Sequence, residues 1–207
     1  MYAAAVPATG NVKSRRSRWT ANIVMLVVAA LVAIVVRTYL VQTFFIPSGS
    51  MEQTLIIDDK VLVNKVLYRF RDPERGEIIV FRPPPAWSAG PDEDYIKRVI
   101  GVAGDRVKCC DDKHRVTING TALDEDYLYP GDEPSMTPFD VTVPAGRLFV
   151  LGDHRSASAD SRAHLGASSG TIPVDRVVGR AFVTCWPLPR WRSLSVPSTF
   201  AGVPNPH

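Results

Sequence analysis

The chain has 207 residues, of which 45% are hydrophobic and 22% are charged, and its formal net charge is +3. This length and composition allow one domain with a sizeable core and a small insertion, and they exclude a wholly disordered protein. The charge is too small to indicate a nucleic-acid-binding protein by itself.

A basic arm and a long apolar run form the N-terminal part. The arm, residues 1–18, carries four cationic side chains: Lys13, Arg15, Arg16 and Arg18. Residues 23–36 follow without a polar side chain, and Trp19 and Tyr39 flank this run as interfacial aromatic residues flank a membrane span. Because no small-x-small cleavage site follows, the sequence predicts a retained transmembrane helix over residues 19–40. A cleaved signal peptide and a buried helix are the alternatives.

The position of the basic arm predicts the topology of the chain. By the positive-inside rule, the N-terminus lies in the cytoplasm and everything after the span lies outside. The C-terminal apolar segment is interrupted by Pro187, Pro189, Arg190 and Arg192, so a single span is predicted.

The remainder of the chain has the pattern of an antiparallel β protein. Short runs rich in Val, Ile, Leu and aromatic residues lie between Gly, Pro and Asp signals, and Asn119-Gly120 is a strong hairpin signal. The predicted strands lie within residues 60–70, 76–83, 95–109, 115–124, 147–153 and 176–187. We therefore expect a mainly β core in two parts, 41–110 and 145–190, with an inserted hairpin subdomain at 111–144 and a C-terminal tail at 191–207.

Three cysteines, Cys109, Cys110 and Cys185, give an odd count in a compartment that permits disulfides. Two alternatives stay open: one of the vicinal pair bonded to Cys185, or three free thiols. Neither the cysteines nor the histidines have the spacing of a metal site, so no metal is expected.

The stretch Pro47-Ser48-Gly49-Ser50 directly after the apolar segment is the first candidate for chemistry. A lone serine there is usually a polar cap or a turn residue. Here the proline fixes the approach of the chain, and the glycine allows torsions and close approach that other residues do not. Ser50 could be a nucleophile, and its own N–H and the Ser48 hydroxyl could stabilise an oxyanion.

A serine nucleophile needs a base, and the chain offers two candidates. His154 stands beside Asp153, but their spacing does not fix the geometry of a triad, so a structural or surface histidine is the favoured interpretation. Lys97 lies in an apolar strand, where a lysine usually points to solvent. Strand alternation requires either Lys97 or Arg98 to face a more buried side, and a desolvated lysine would have its pKa lowered toward that of a general base.

Six blocks, in this order, resemble bacterial type I signal peptidase: IPSGSM, DKVLVNK, RGEIIVFRPP, YIKRVIGVAGDRV, LGDHRSASADSR and VVGRA. They cover most of the chain from Phe44 to Ala181. The resemblance implies an N-terminal membrane anchor followed by an antiparallel β-rich catalytic domain of the signal-peptidase type. It also implies a Ser/Lys-dyad serine protease.

The resemblance implies a role for individual residues. Ser50 matches the nucleophile and Lys97 the general base, while Ser48 and the Ser50 N–H form the oxyanion hole. Ser158 matches a serine that orients the lysine amine. Four further residues match two supporting ion pairs: Arg98 with Asp153, and Asp160 with Arg162. The apolar pockets that take small substrate side chains are matched by Phe44, Ile46, Met51, Tyr95 and Ile96.

The chain also departs from the family pattern. Gln53 stands where many members have proline, which should alter the turn after the nucleophile without removing a reactive group. His154, Ser156 and Ala157 replace more usual polar residues, which removes a carboxylate near the site and puts the hydrogen-bond network there in doubt.

The implied protein is a membrane-anchored serine endopeptidase of the cytoplasmic membrane with its catalytic domain on the outer side. It would cleave signal peptides after an Ala-x-Ala-like motif, without metal or cofactor. Its partners would be exported preproteins from the secretion machinery and the lipid bilayer, not nucleic acid. Trp87, Trp186 and Trp191 could dock on the membrane, although ordinary packing is the favoured role. The rivals are a self-cleaving Ser/Lys peptidase of the repressor-processing type and an anchored, catalytically silent β-domain.

Overall fold

The computed structural model describes residues 12–35, 40–87 and 93–206, and the chain divides into two compact units at Leu40 and Val41. In the first unit, helix α1 (Val12–Val35) exposes the side chains of residues 19–34 to solvent. Within the described residues, no helix reaches the length and apolarity needed to cross a membrane. Two ranges lie outside the described residues: 36–39, which belong to the predicted anchor, and 1–11, which belong to the predicted basic arm.

The second unit is mainly β and antiparallel, as predicted. Its larger sheet has eight strands in the order β1-β2-β11-β3-β4-β9-β10, with β12 paired to β11, and its smaller sheet has four in the order β7-β6-β5-β8. The strands are β1 (Val41–Phe45), β2 (Lys60–Asn64), β3 (Ile78–Phe81), β4 (Tyr95–Gly101), β5 (Arg106–Cys109), β6 (Val116–Ile118), β7 (Thr121–Ala122), β8 (Phe139–Thr142), β9 (Arg147–Leu151), β10 (Ile172–Pro173), β11 (Val177–Trp186) and β12 (Arg192–Ser193).

Each predicted strand segment contains a strand, and the predicted hairpin forms at Asn119 and Gly120. Both residues have positive φ, 52° and 83°, as a type I′ turn requires. Four short strands were not predicted: β1, β8, β10 and β12. Strand β1 is the one that matters for the site, because it leads directly into the Ser50 turn.

The small sheet begins before the predicted insertion at 111–144. Strand β5 pairs with both β6 and β8, so Arg106–Cys109 belongs to this sheet and not to the larger one. The interior of the small sheet packs against β9 through Phe149. The C-terminal segment is part of the same interior, because Phe200 and Val203 are buried in it, and it is not a loose tail.

The cysteines differ from both predicted alternatives. Cys109 and Cys110 are bonded to each other, with their Cα atoms 2.9 Å apart, and Cys185 is free. Cys185 lies on β11 of the larger sheet, where its Sγ contacts the Lys60 carbonyl, so it is in a different sheet from Cys109.

An exposed apolar patch lies at one end of the larger sheet. Phe45 and Trp186 both face Lys60 in the register of neighbouring strands, and Leu188 and Trp191 follow directly along the chain. Trp186 is 51% exposed and Trp191 61% exposed, so the predicted packing of these two side chains is wrong. Trp87 is 7% exposed and packs edge-on against Phe81, in agreement with the favoured prediction.

Candidate active site

Ser50 lies in a 3₁₀ turn, Gly49–Met51, between β1 and β2. The turn is held by the Glu52 N–H, which donates to the Gly49 carbonyl at 3.0 Å, and by the Leu55 N–H, which donates to the Met51 carbonyl at 2.7 Å. Because Ser50 is in the first turn, its N–H has no acceptor within the segment. A carbonyl oxygen placed beside Ser50 could therefore receive that N–H.

Lys97 reaches Ser50 from strand β4. Its Nζ lies 2.7 Å from Ser50 Oγ and 3.0 Å from the Ile96 carbonyl oxygen, and both Lys97 and Ser50 are buried. Strand β4 is fixed between neighbours, with Lys97 opposite Ile79 of β3 and Arg98 opposite Leu151 of β9. The structure thus places the predicted nucleophile and the predicted base in direct hydrogen-bond contact.

The environment of Lys97 favours its neutral form. Desolvation by burial lowers the pKa of Lys97 from its usual value of 10.5 to about 8, although the negative charges of Asp160 and Asp153 oppose this shift. A lysine with a pKa near 8 is about one-tenth neutral at pH 7, far more than a lysine with the usual pKa, and only the neutral amine can accept the Ser50 proton.

The two predicted accessory serines differ in their surroundings. Ser48 is exposed, with extended backbone, and its hydroxyl makes no capping hydrogen bond. The Ser158 hydroxyl is buried and meets no strict hydrogen-bond geometry with a described residue, but it lies close enough to the Asp160 carboxylate to help lower the pKa of that group. The predicted hydrogen bond from Ser158 to Lys97 is therefore not formed in this conformation, although Ser158 packs beside the Ser50 carbonyl at Gly152.

Both predicted ion pairs are formed beneath the site. Arg98 Nε lies 2.8 Å from Asp153 Oδ1, and both side chains are almost fully buried. Arg162 Nη2 lies 2.8 Å from Asp160 Oδ2. Burial alone would raise the pKa of Asp160, but the hydrogen bond and charge of Arg162 lower it below its usual value, which keeps this carboxylate ionised.

Gly152 is a site residue that sequence reasoning did not identify. A Cβ atom there would lie well inside 3.0 Å of both the Ser158 hydroxyl and the Ser50 carbonyl, closer than real Cβ atoms approach. By contrast, Gly49 has no positive φ, and a Cβ there would meet only the flexible Glu52 carboxyl group. The predicted need for special torsions at Gly49 is therefore wrong, and the close approach occurs at Gly152 instead.

The small sheet also contributes to the site, which the sequence did not indicate. The Arg98 guanidinium lies over the Tyr127 ring, with its Cζ atom 4.2 Å from the centroid of the ring. Arg155 forms a salt bridge with Glu125, and both side chains are buried. The Tyr129 N–H donates to the Asp153 carbonyl at 3.0 Å. The loop after β7 therefore holds the loop after β9, which we call the catalytic loop (residues 152–162).

His154 is not the partner of the Ser50 hydroxyl. Its Nδ1 lies 3.0 Å from Glu52 Oε2 and 3.2 Å from the Gly49 carbonyl, and its ring stacks on Tyr129. Its backbone N–H donates to the Ser50 carbonyl at 3.2 Å. These contacts give His154 the structural role that the sequence favoured over a triad base.

The predicted pocket residues separate into two groups. Phe44 and Tyr95 are partly exposed, and Ile96 is nearly buried, so these three can reach a bound peptide. Ile46 is 1% exposed and Met51 0%, because both point into the core beneath the turn. This corrects the predicted contact of Ile46 and Met51 with substrate: in this conformation they support the cleft from below.

Gln53 has φ = 81°, a left-handed conformation that proline cannot adopt. The turn after Ser50 therefore has a shape that excludes the proline of the family pattern. We expect Gln53→Pro to lower the free energy of unfolding by about 3 kcal/mol, and Gln53→Gly to leave it unchanged or raise it by up to about 1 kcal/mol. Denaturant unfolding of both variants would measure this, and equal stability of the two would contradict the geometry of the turn.

In residues 12–35, 40–87 and 93–206, no group of three His, Cys, Asp or Glu side chains is arranged to hold a metal ion.

Comparison with known proteins gives consistent results. Residues 18–186 match the profile of the family described as signal peptidase, peptidase S26. Signal peptidase I of Mycobacterium tuberculosis H37Rv is 37% identical over 224 residues, covering 86% of this chain and 76% of the relative. Probable signal peptidase I-2 of Synechocystis is 43% identical, covering 80% and 72%. A solved structure, a signal peptidase I from Enterococcus faecalis V583, is 32% identical over 53% of this chain and 97% of that chain, with a TM-score of 0.41.

Proposed function

The chain belongs to the signal peptidase family, peptidase S26, whose members are serine endopeptidases that remove signal peptides, and we propose that Ser50 and Lys97 are its catalytic dyad. The observation that carries this assignment is the 2.7 Å contact between Lys97 Nζ and Ser50 Oγ in a buried setting. A serine hydroxyl is an activated nucleophile when it lies beside a buried lysine whose pKa is lowered.

The reaction follows from this geometry. Neutral Lys97 accepts the Ser50 proton as Oγ attacks the scissile carbonyl carbon, and the resulting ammonium then protonates the leaving amine. The Ser50 N–H and the exposed Ser48 hydroxyl stabilise the oxyanion. Lys97 next removes a proton from a water molecule, and the attack of this water on the ester carbonyl hydrolyses the acyl-enzyme. The buried Ser158 hydroxyl, which lies near the Asp160 carboxylate, is the group we propose to orient the Lys97 amine during the reaction.

Two strand edges can receive an extended substrate. In the described chain, β1 pairs on one side only, with β2. On β4, residues 95–97 pair with β3, whereas pairing with β9 begins at Arg98. A peptide that adds as a strand obtains main-chain hydrogen bonds at such edges, and its alternate side chains enter pockets. Phe44 on β1 and Tyr95 on β4 place aromatic rings at these edges, and we infer that the rings restrict the pockets to the small side chains of an Ala-x-Ala motif.

A location at the cytoplasmic membrane has two supports in the structure, and the basic arm at residues 1–18 supports placing the catalytic unit on the outer side by the positive-inside rule. Between residues 19 and 34, helix α1 exposes apolar side chains on all of its faces. An apolar environment such as a lipid bilayer would stabilise a helix of this kind. The patch formed by Phe45, Trp186, Leu188 and Trp191 has the aromatic content of a membrane-interface surface. We propose that residues 1–18 are cytoplasmic, that 19–40 span the bilayer, and that 41–110 and 145–190 form the catalytic core around the segment 111–144, followed by 191–207. The partners are then exported preproteins and lipid.

The test is cleavage of a preprotein with an Ala-x-Ala site by the purified protein in detergent micelles. Mass spectrometry of the new N-terminus should locate the cut directly after the second alanine. A preprotein with leucine in place of both alanines is the matched control and should remain intact. A catalytically silent domain would cleave neither and would not react with a serine-directed acylating inhibitor, and that result would overturn the proposal.

The pKa of Lys97 predicts the pH dependence of activity. Because the neutral amine is required, kcat/KM should rise about tenfold per pH unit below pH 8 and level off above it. In the unfolded chain the pKa of Lys97 returns toward 10.5. Between pH 8 and 10.5 the unfolded state therefore binds more protons than the folded state, so the contribution of Lys97 to folding stability rises with pH. A profile of kcat/KM from pH 6 to 10 measures the first effect, and a flat profile would exclude lysine as the base.

A further inference from the structure

A groove of about 610 Å³ lies beside Phe44. It lies where β1 and β11 begin and where β2 and β3 end, and Gln42 and Phe44 of β1 form part of its wall. Its charged lining consists of four cations and two carboxylates: Lys65, Arg69, Arg82, Arg176, Asp94 and Asp175. The groove therefore has an excess of positive charge.

This charge is not neutralised by close partners. In the part of the chain that the structure describes, none of the four cations forms a salt bridge. Arg176 donates from Nη1 to the Pro83 carbonyl at 3.2 Å, which fixes its side chain on the groove wall. Arg69 and Arg82 are exposed and can turn toward a ligand.

The groove lies at a defined distance from the reacting pair along both strands that flank the cleft. Asp94 directly precedes β4 and is three residues before Lys97, about 10 Å in extended chain. On β1, Gln42 lies about 7 Å beyond Phe44 in the direction away from the Ser50 turn. An extended peptide advances by a similar step, so its three residues before the scissile bond span the distance to Asp94, and the next residues, about four to six positions before the bond, meet the groove.

We propose that this basic groove is a specificity subsite for the segment four to six residues before the cleavage site, and that it prefers acidic side chains and disfavours Lys and Arg. The inference rests on the proposed function, because it assumes that the peptide runs along β1 with its scissile carbonyl at Ser50. Two like charges brought together in a cleft repel, whereas a carboxylate gains from several nearby cations. The groove thereby distinguishes substrates that the small pockets near Ser50 would treat as equal.

The test uses three soluble peptides that share an Ala-x-Ala site and differ only at the fifth residue before the cut: Glu, Gln or Lys. With the purified full chain in uncharged detergent at low salt, kcat/KM should fall in the order Glu, Gln, Lys, with a total range of about tenfold, the size that a few partly exposed charge contacts produce. The range should shrink at 0.5 M salt, because screening weakens exposed charge contacts.

Two double variants locate the effect. Arg69→Gln with Arg82→Gln should abolish most of the preference, whereas Lys108→Gln with Lys113→Gln removes the same charge from exposed positions near the small sheet and should preserve it. Equal kcat/KM for the three peptides would overturn the subsite while leaving the proposed function intact. Failure of the wild type to cleave any of them would instead count against the proposed function. If the groove variant keeps the peptide preference but loses binding to vesicles containing phosphatidylglycerol, the groove binds lipid phosphate and the substrate assignment is wrong.

Discussion

The Ser50→Ala and Lys97→Met variants are each expected to lose at least about 10⁴-fold in kcat/KM for preprotein cleavage, since one lacks the proposed nucleophile and the other lacks the proposed base. Methionine matches the length of lysine without its amine, so the buried position remains filled. The double variant should be no worse than either single variant, because the two residues act as a unit. Product formation measured over hours with purified protein would determine the size of the loss.

The controls separate chemistry from folding. Ser193→Ala and Lys108→Met alter exposed residues of the same types and should retain wild-type activity. Lys97→Met should unfold at an equal or higher denaturant concentration than the wild type, because it removes an amine whose charging burial disfavours. Activity within tenfold of wild type in either site variant would exclude the dyad.

Gly152→Ala is expected to reduce kcat by about 10²-fold or more, although Gly152 is far from Ser50 along the chain. The Cβ would overlap the Ser158 hydroxyl and the Ser50 carbonyl, so the catalytic loop and the nucleophile turn would have to separate. A displacement of about 1 Å at a reacting group is enough for such a loss. Overpacking of this kind also costs about 1–3 kcal/mol of stability.

The matched control is Gly166→Ala, at a glycine where an added Cβ meets no atom within 4 Å. This variant should keep both the activity and the stability of the wild type. The rate of acylation by a serine-directed inhibitor provides a second readout, because it reports on Ser50 without requiring preprotein binding. If Gly152→Ala were acylated at the wild-type rate, the tight contact at Gly152 would have no catalytic importance.

The elements with strong local signals could be predicted from the sequence. The apolar strand runs and the Asn119-Gly120 turn depend on neighbours along the chain, and ordered motifs singled out the two residues, Ser50 and Lys97, that the structure brings into contact. Strand alternation predicted that one of Lys97 and Arg98 faces a buried side. In the structure both are buried, because the central strand β4 is covered on both of its faces.

What could not be predicted depends on contacts between distant segments. Thr54 Oγ1 donates to Asp153 across 99 residues, and Tyr127 reaches Arg98 from the other sheet. Nothing in the local sequence around Gly152 distinguishes it from the glycines of ordinary turns, since its constraint comes from Ser50 and Ser158 after folding. The sequence of strand β1, VQTFF, does not alternate apolar and polar residues, so it lacks the period-two signal of a half-buried strand.

The contacts between the small sheet and the catalytic loop divide that sheet into a part that can be rebuilt and a part that cannot. Residues 112–114 form an exposed turn whose ends are joined by the Asp111 N–H, which donates to the Arg115 carbonyl. A foreign sequence inserted there would add only loop-closure entropy, about 0.6 kcal/mol for each doubling of its length. The turn is therefore a suitable place to attach a fluorescent reporter or an affinity handle to the working enzyme. The segment from Glu125 to Asp132 offers no such freedom, because its side chains hold Arg155, Arg98 and Ser156 in position.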